Sequence, residues 1–141
     1  VDYHLRLSCE GKHAAQILQR ALWKRQLFET DSRPVIRSDN GPQFTSHVFE
    51  ESCVKFSVEH ERIPPKTPNK NTHIESFHAL LESDCLSRYE FSSYQEAYQI
   101  VIEYIQFYNE RRIHGSLYDF SPCEFRQRLC AGELKPFIIK V

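Results

Sequence analysis

Two acidic residues, Asp39 and Glu75, are the side chains in this 141-residue chain whose positions best suit catalysis. Asp39 ends a short apolar run and is followed by Asn-Gly-Pro, a turn sequence. Glu75 lies early in a predicted helix, and 35 residues (40–74) separate the two. Carboxylate oxygens are preferred ligands of Mg²⁺, and paired metal ions stabilise the attacking and leaving oxygens of a phosphodiester displacement. If folding brings these two side chains together, they could hold divalent metal over a phosphodiester bond.

Each carboxylate also has an ordinary structural explanation. Asp-Asn-Gly-Pro is a common turn sequence, because Asp caps the backbone locally and Asn and Gly tolerate positive φ. Glu75 could be a solvated helix residue. On a helix it shares a face with Asn71, His78 and Glu82, beside the apolar stripe. The residues alone leave both explanations open.

Three separate motifs occur in order along the chain. They are SDNGPQF at 38–44, PNKNTHIESFH at 68–78, and a later run of Tyr108-Asn109, Arg112, His114 and Leu117. With these motifs the chain resembles the integrase core of insertion-sequence transposases of the IS3 type, over nearly its whole length. The resemblance implies an α/β, RNase H-like (retroviral-integrase-like) core with an Asp, Asp, Glu triad. In that family 35 residues lie between the second Asp and the Glu, which is the spacing of Asp39 and Glu75. By that resemblance, Asp39 and Glu75 are catalytic metal ligands.

The resemblance also implies an activity, namely DNA transposition by metal-dependent phosphodiester cleavage followed by strand transfer. Two Mg²⁺ or Mn²⁺ ions would occupy the complete site. The family's first Asp lies upstream of a segment that resembles Val1–Ser8. The core is therefore predicted to be truncated at its N-terminal strands, and the chain by itself is expected to be inactive. Two alternatives stay open: an RNase H-like nuclease without strand transfer, and a catalytically inert remnant that binds DNA or oligomerises.

Further residues are candidates for supporting the two carboxylates or contacting DNA. They are Asn40, Gln43, Lys66, Lys70, Asn71, His78, Arg112 and His114. Lys66 and Lys70 could clamp a DNA backbone without reading its sequence. Asn71, one turn before Glu75, could orient that carboxylate or contact a phosphate. For His114, fixing a turn is favoured over backing the active site.

Composition narrows the class of protein. A length of 141 residues predicts one domain, and 40% hydrophobic with 26% charged residues is typical of a globular protein. The net charge of −1 argues mildly against strong DNA binding by the chain alone. Five cysteines without a CxxC pair predict free thiols in a reducing cytosol. The expected partners are the DNA of the transposon ends and target and further copies of the chain, in the bacterial cytoplasm near the nucleoid and not in a membrane.

Hydrophobic periodicity, caps and turn residues predict the order of elements. Strands are expected at 3–7, 34–37 and 57–59, a loop at 62–71, and helices at 12–25, 46–56, 71–85, from Ser92 or Ser93 to about 111, and from Ser121-Pro122 onward.

Overall fold

The computed structural model describes residues 3, 5, 8–28, 30, 33–64 and 72–135, which form five α-helices and a two-stranded parallel sheet. The elements are α1 (Gly11–Lys24), β1 (Val35–Ser38), α2 (His47–Lys55), β2 (Glu59–Arg62), α3 (Thr72–Asp84), α4 (Tyr94–Glu110) and α5 (Pro122–Cys130). The chain divides into two compact units, an N-terminal unit of residues 2–72 and a C-terminal unit of residues 73–141. None of the described helices is long and apolar enough to cross a bilayer.

The N-terminal unit is built on an apolar stripe of α1. Its core consists of Ala14, Ala15, Leu18, Leu22, Phe49, Cys53 and Val58, all buried. The residues of α1 in this set recur at helical spacing, so they lie on one face of the helix. A Cβ on Gly11 would overlap Ser46 Oγ, the side chain that caps α2 by accepting a hydrogen bond from Phe49 N. Glycine therefore permits the close approach of the two helices at this point.

The strands β1 and β2 pair in parallel, with register from Val35 opposite Glu59 to Ser38 opposite Arg62. Side chains alternate between the two faces of each strand. Val35 is exposed, and Arg37 lies on the same face in an ion pair with Glu61 at 3.0 Å. Ser38 lies on the other face and is buried. The inner face of β1 therefore carries a buried hydroxyl directly before Asp39.

The C-terminal unit is organised by α4. Its buried residues Val101, Tyr104 and Ile105 form one stripe. Ser93 caps the helix by accepting from Glu96 N, and Ser121 caps α5 in the same way, with Pro122 at the first helical position. These caps and the corresponding helix starts confirm the sequence prediction.

Helix bounds agree with the prediction to within one or two residues, but the bounds of β2 do not. It was expected at 57–59 and runs from Glu59 to Arg62. Ser57 adopts a positive φ of 53° and turns the chain after α2, so the extended backbone begins later. Arg62 consequently belongs to β2 and not to the expected loop. The remaining loop residues 65–71, which include Lys66, Lys70 and Asn71, and most of the strand expected at 3–7 lie outside the described residues.

Candidate active site

Asp39 lies immediately after β1, at the carboxyl end of the parallel pair, with an exposed side chain. Open α/β sheets commonly place their ligands at this end of the strands. Asp39 Oδ1 accepts a hydrogen bond from Gly41 N at 2.9 Å. The other carboxylate oxygen, Oδ2, has no hydrogen-bond or ion-pair partner among the described residues. One oxygen of Asp39 therefore shapes the turn, while the other faces solvent.

The turn that carries Asp39 is tied to the end of β2. Asn40 Nδ2 donates to Ile63 O at 2.9 Å, and Ile63 N donates to Ser38 O at 2.9 Å. These bonds extend the pairing of the two strands past their ends. The sequence marked Asn40 as a candidate for supporting Asp39 or contacting DNA, and its amide holds the turn in place. Gln43, another candidate, is half-buried, and its backbone carbonyl accepts from Ser46 Oγ at 2.9 Å.

A second polar contact at the same turn was not predicted from the sequence. Ser38 Oγ lies 2.8 Å from His60 Nε2 and 2.8 Å from the backbone oxygen of Asp39. The His60 ring packs edge-on against the buried Phe49, with ring centroids 5.1 Å apart. Ser38 stands inside the recognised motif, but no feature of the sequence pointed to a histidine 22 residues later.

Glu75 lies in the first turn of α3, where a negative charge suits the helix dipole. Its side chain is exposed and has no hydrogen-bond or ion-pair partner among the described residues. His78 and Glu82, predicted to share its face, are also exposed. The His78 ring lies 6.0 Å from that of Phe77. The first turn of α3 therefore carries an exposed carboxylate that has no partner in the described part of the chain.

The helix α3 is held by residues of the third sequence motif. The Phe77 ring meets the Tyr108 ring edge-on at 5.0 Å. Arg112 Nε lies 3.3 Å from Oδ2 of Asp84, the last residue of α3. At 1.5 Å per residue, the nine steps from Glu75 to Asp84 correspond to about 13.5 Å along the helix. Arg112 therefore contacts the opposite end of α3 from Glu75 and fixes the helix, not the Glu75 carboxylate. Asp84 was not singled out from the sequence.

His114 lies in the turn after α4. Its backbone oxygen accepts from Leu117 N and Asp119 N, and its backbone nitrogen donates to Phe120 O. Its ring lies 4.9 Å from the Tyr108 ring, and Nδ1 is 3.4 Å from Arg112 NH1. The buried Nε2 has no hydrogen-bond partner among the described residues. These contacts suit the turn-fixing role favoured for His114.

Burial and nearby charges alter the acidity of several groups. Burial, and then the charge of Arg112, lowers the pKa of His114 below its usual 6.5. Burial, and then Arg62, lowers the pKa of His60 in the same direction. Burial pushes the pKa of Asp84 upward, but the hydrogen bonds from Arg112 and Ser83 and the charge of Arg112 outweigh it and lower that pKa. At neutral pH the two histidines are therefore neutral and Asp84 is ionised.

The free energy of unfolding is expected to fall as the pH drops below about 6.5. The pKa of His60 and of His114 is lower in the folded protein than in the unfolded chain, so the unfolded chain binds more protons in this range. Ordinary carboxylates titrate below about pH 5, which leaves the range above to the histidines. Urea denaturation between pH 5 and 8 measures the effect. Replacing His114 by Gln should flatten the profile, because it removes one of the two groups whose pKa is lowered by folding. A profile unchanged by His114→Gln would contradict this expectation.

The two proposed ligands belong to different units, Asp39 to the N-terminal and Glu75 to the C-terminal one. Among the described residues, no group of three or more His, Cys, Asp or Glu side chains is placed to hold a metal ion. Lys66, Lys70 and Asn71 lie outside the described residues. The site residues therefore remain a prediction from sequence.

A search of solved structures finds a likeness to the catalytic core domain of BIV integrase. The TM-score is 0.56 at 16% sequence identity, and the match covers 93% of this chain and 80% of the other. The fold is therefore that of an integrase catalytic core, which confirms the predicted RNase H-like class.

Sequence comparison shows which kinds of protein this chain resembles. Residues 56–122, which include Glu75, match the integrase core domain family. A 31.7 kDa protein of insertion element IS407 from Burkholderia multivorans is 32% identical over 89% of this chain, and the putative transposase InsK of IS150 from Escherichia coli is 30% identical over 67%. The chain spans 43% and 34% of the lengths of these two proteins. Residues 56–122 are thus similar to the integrase core family, and most of the chain is similar to proteins of insertion elements, in agreement with its motifs.

Proposed function

We propose that this chain forms part of a DDE transposase that moves DNA by phosphodiester cleavage and strand transfer, with Asp39 and Glu75 as its second Asp and its Glu. The observation that carries the proposal is the placement of Asp39. It stands at the carboxyl end of a parallel strand, in a turn anchored to the neighbouring strand, with one carboxylate oxygen unpaired among the described residues. The 35-residue spacing to Glu75 and the relatives among insertion elements support the same assignment. In this proposal the 141 residues act as one catalytic core.

The donor groups fit a divalent cation. Mg²⁺ and Mn²⁺ take oxygen ligands, and both Asp39 and Glu75 offer exposed carboxylates without competing ion pairs among the described residues. Bound metal would activate a water or a DNA 3′-hydroxyl and stabilise the leaving oxygen. In this scheme Asp39 and Glu75 act as ligands and not as general bases. The hydrogen bond from Gly41 fixes the rotation of the Asp39 carboxylate and so keeps its second oxygen available.

The proposed partners are the DNA of the element ends and of the target. Lys66 and Lys70 precede Glu75 in sequence and would contact the phosphate backbone, which positions DNA without reading its bases. With a net charge of −1, the chain has no overall positive field to attract DNA, so such local cationic contacts would carry the electrostatic part of binding. Assembly with further copies of the chain and association with the nucleoid complete the proposal.

A titration with Mn²⁺, followed by NMR, tests the shared metal site. We expect the resonances of Asp39, Gly41 and Glu75 to broaden together, because a paramagnetic ion affects nuclei close to it. Asp39→Asn keeps an oxygen that can accept from Gly41 N but removes the charge, so it should abolish the broadening at both positions. Glu82→Gln, on the same helix and also exposed, serves as the control and should leave it unchanged. Broadening at Glu75 that survives Asp39→Asn would contradict a shared site.

A further inference from the structure

Three groups on the inner face of the sheet form a chain of hydrogen bonds that ends at the backbone of Asp39. His60 Nε2 lies 2.8 Å from Ser38 Oγ, which lies 2.8 Å from the carbonyl oxygen of Asp39. Ser38 is only 5% exposed, so water has little access to the hydroxyl between the two partners. These two hydrogen bonds link β2 to the residue proposed above as a metal ligand.

The protons in these two hydrogen bonds can be assigned from the chemistry of the three groups. A carbonyl oxygen only accepts, so the single hydroxyl proton of Ser38 is directed to Asp39 O. The Ser38 oxygen must then accept from His60 Nε2, which requires that nitrogen to carry a proton. A neutral imidazole has one N–H, and burial followed by the charge of Arg62 lowers the pKa of His60 and keeps the ring neutral at pH 7. The arrangement therefore selects the Nε2–H tautomer.

The same end of the sheet is fixed by two other bonds, from Asn40 Nδ2 to Ile63 O and from Ile63 N to Ser38 O. These two bonds hold the turn by joining the end of β1 to the end of β2. The bond from Ser38 to Asp39 O acts instead on the peptide group that joins Asp39 to Asn40, and so on the direction in which the Asp39 side chain leaves the backbone.

We propose that His60 is a positioning residue for Asp39, and that it acts by donating Nε2–H to the Ser38 hydroxyl, which in turn holds the Asp39 carbonyl. The importance of this contact for metal binding rests on the proposed function of Asp39, but the contact and its effect on the turn do not. Partners that orient a metal ligand typically contribute about tenfold to a hundredfold to metal affinity or activity.

The first test is the tautomer of His60 in the metal-free 141-residue chain. Long-range ¹H–¹⁵N correlation spectra at pH 7.5 distinguish the two neutral tautomers by their nitrogen shifts. We expect Nε2 to be protonated and Nδ1 to be the bare nitrogen. Protonation at Nδ1 would overturn the proposal, because the Ser38 proton would then be directed to His60 and not to Asp39.

A pair of matched variants separates donation from packing, since His60 also contacts Phe49. His60→Gln keeps an N–H donor at a similar distance from the backbone but loses the ring. His60→Leu keeps apolar bulk but loses the donor. Two readouts apply: hydrogen exchange of Gly41 N–H, which bonds to the Asp39 carboxylate, and Mn²⁺ affinity. We expect His60→Leu to speed the exchange of Gly41 N–H and to weaken Mn²⁺ binding by about tenfold. His60→Gln should leave both the exchange rate and the Mn²⁺ affinity close to those of the parent protein. A larger effect of His60→Gln than of His60→Leu would show that His60 acts through packing and would overturn the proposal.

A double-mutant cycle completes the test. Ser38→Ala removes the intermediate hydroxyl, so adding His60→Leu to it should produce no further change in Gly41 exchange. Additive effects would show that His60 acts by another route and would overturn the proposal. Asp39→Asn distinguishes this inference from the proposed function. If Mn²⁺ affinity is unaffected by Asp39→Asn, the metal assignment fails, and the tautomer and the Gly41 exchange still decide the role of His60.

Discussion

Asp39→Asn and Glu75→Gln are each expected to lower the rate of Mg²⁺-dependent DNA cleavage by about a thousandfold or more in a complete transposase that carries this core, since metal ions stabilise the transition state by several kcal/mol. Each amide keeps the size of the side chain but loses the charge proposed to bind the cation. At Asp39 the amide oxygen can still accept from Gly41 N, so the turn should persist. The measurement is cleavage of a labelled duplex that carries the element's ends, together with strand-transfer products.

Glu82→Gln provides the matched control for this prediction. Glu82 lies on α3 seven residues after Glu75, is also exposed, and loses the same charge on substitution. The cleavage rate of the Glu82→Gln variant should stay within about twofold of that of the parent protein. Surface substitutions of this kind rarely change the free energy of unfolding by more than about 0.5 kcal/mol, so the fold should be retained. If Glu75→Gln retained robust cleavage, the assignment of Glu75 would be wrong. If Glu82→Gln lost as much activity as Glu75→Gln, the effect would belong to the helix and not to the proposed ligand.

Phe49→Ala is expected to lower the free energy of unfolding by about 3–5 kcal/mol, the range typical of truncating a buried aromatic side chain. Phe49 is only 2% exposed and meets the rings of Phe44 and His60 edge-on at 5.5 and 5.1 Å. The substitution removes these contacts and leaves a cavity in the core of the N-terminal unit. Because domains are stable by only about 5–15 kcal/mol, much of the stability would be lost. Urea denaturation monitored by circular dichroism measures the change.

Val54→Ala is the control on the same helix. Val54 is 79% exposed, so its truncation should change the free energy of unfolding by less than about 0.5 kcal/mol. The comparison separates core packing from helix propensity, since both changes place Ala on α2. A loss below about 1 kcal/mol for Phe49→Ala would mean that the site collapses around the smaller side chain and that the core described here is not tightly packed.

The sequence by itself determined the helices and the similarity to integrase cores. Apolar residues at helical spacing located α1 and α4, and Ser46, Ser93 and Ser121 marked helix starts to within a residue. These features are local, since a cap or an apolar stripe depends on residues three or four positions apart. The motifs around Asp39, Glu75 and Tyr108 likewise predicted an integrase-core fold, which the solved structure confirms, and residues 56–122 match the integrase core domain model.

Only the tertiary structure decided which contacts hold the elements that carry the candidate ligands. Asn40 bonds to Ile63, Ser38 to His60 and Arg112 to Asp84, partners separated by 23, 22 and 28 residues. No periodic pattern encodes such pairs, because each depends on the register of two strands or on the packing of one helix against another. The start of β2 was misplaced for a related reason, since the positive φ of Ser57 is imposed by the turn that returns the chain from α2 to the sheet. The motifs and their spacing therefore marked Asp39 and Glu75 as candidates, whereas strand register and helix packing revealed the contacts made by His60 and Asp84.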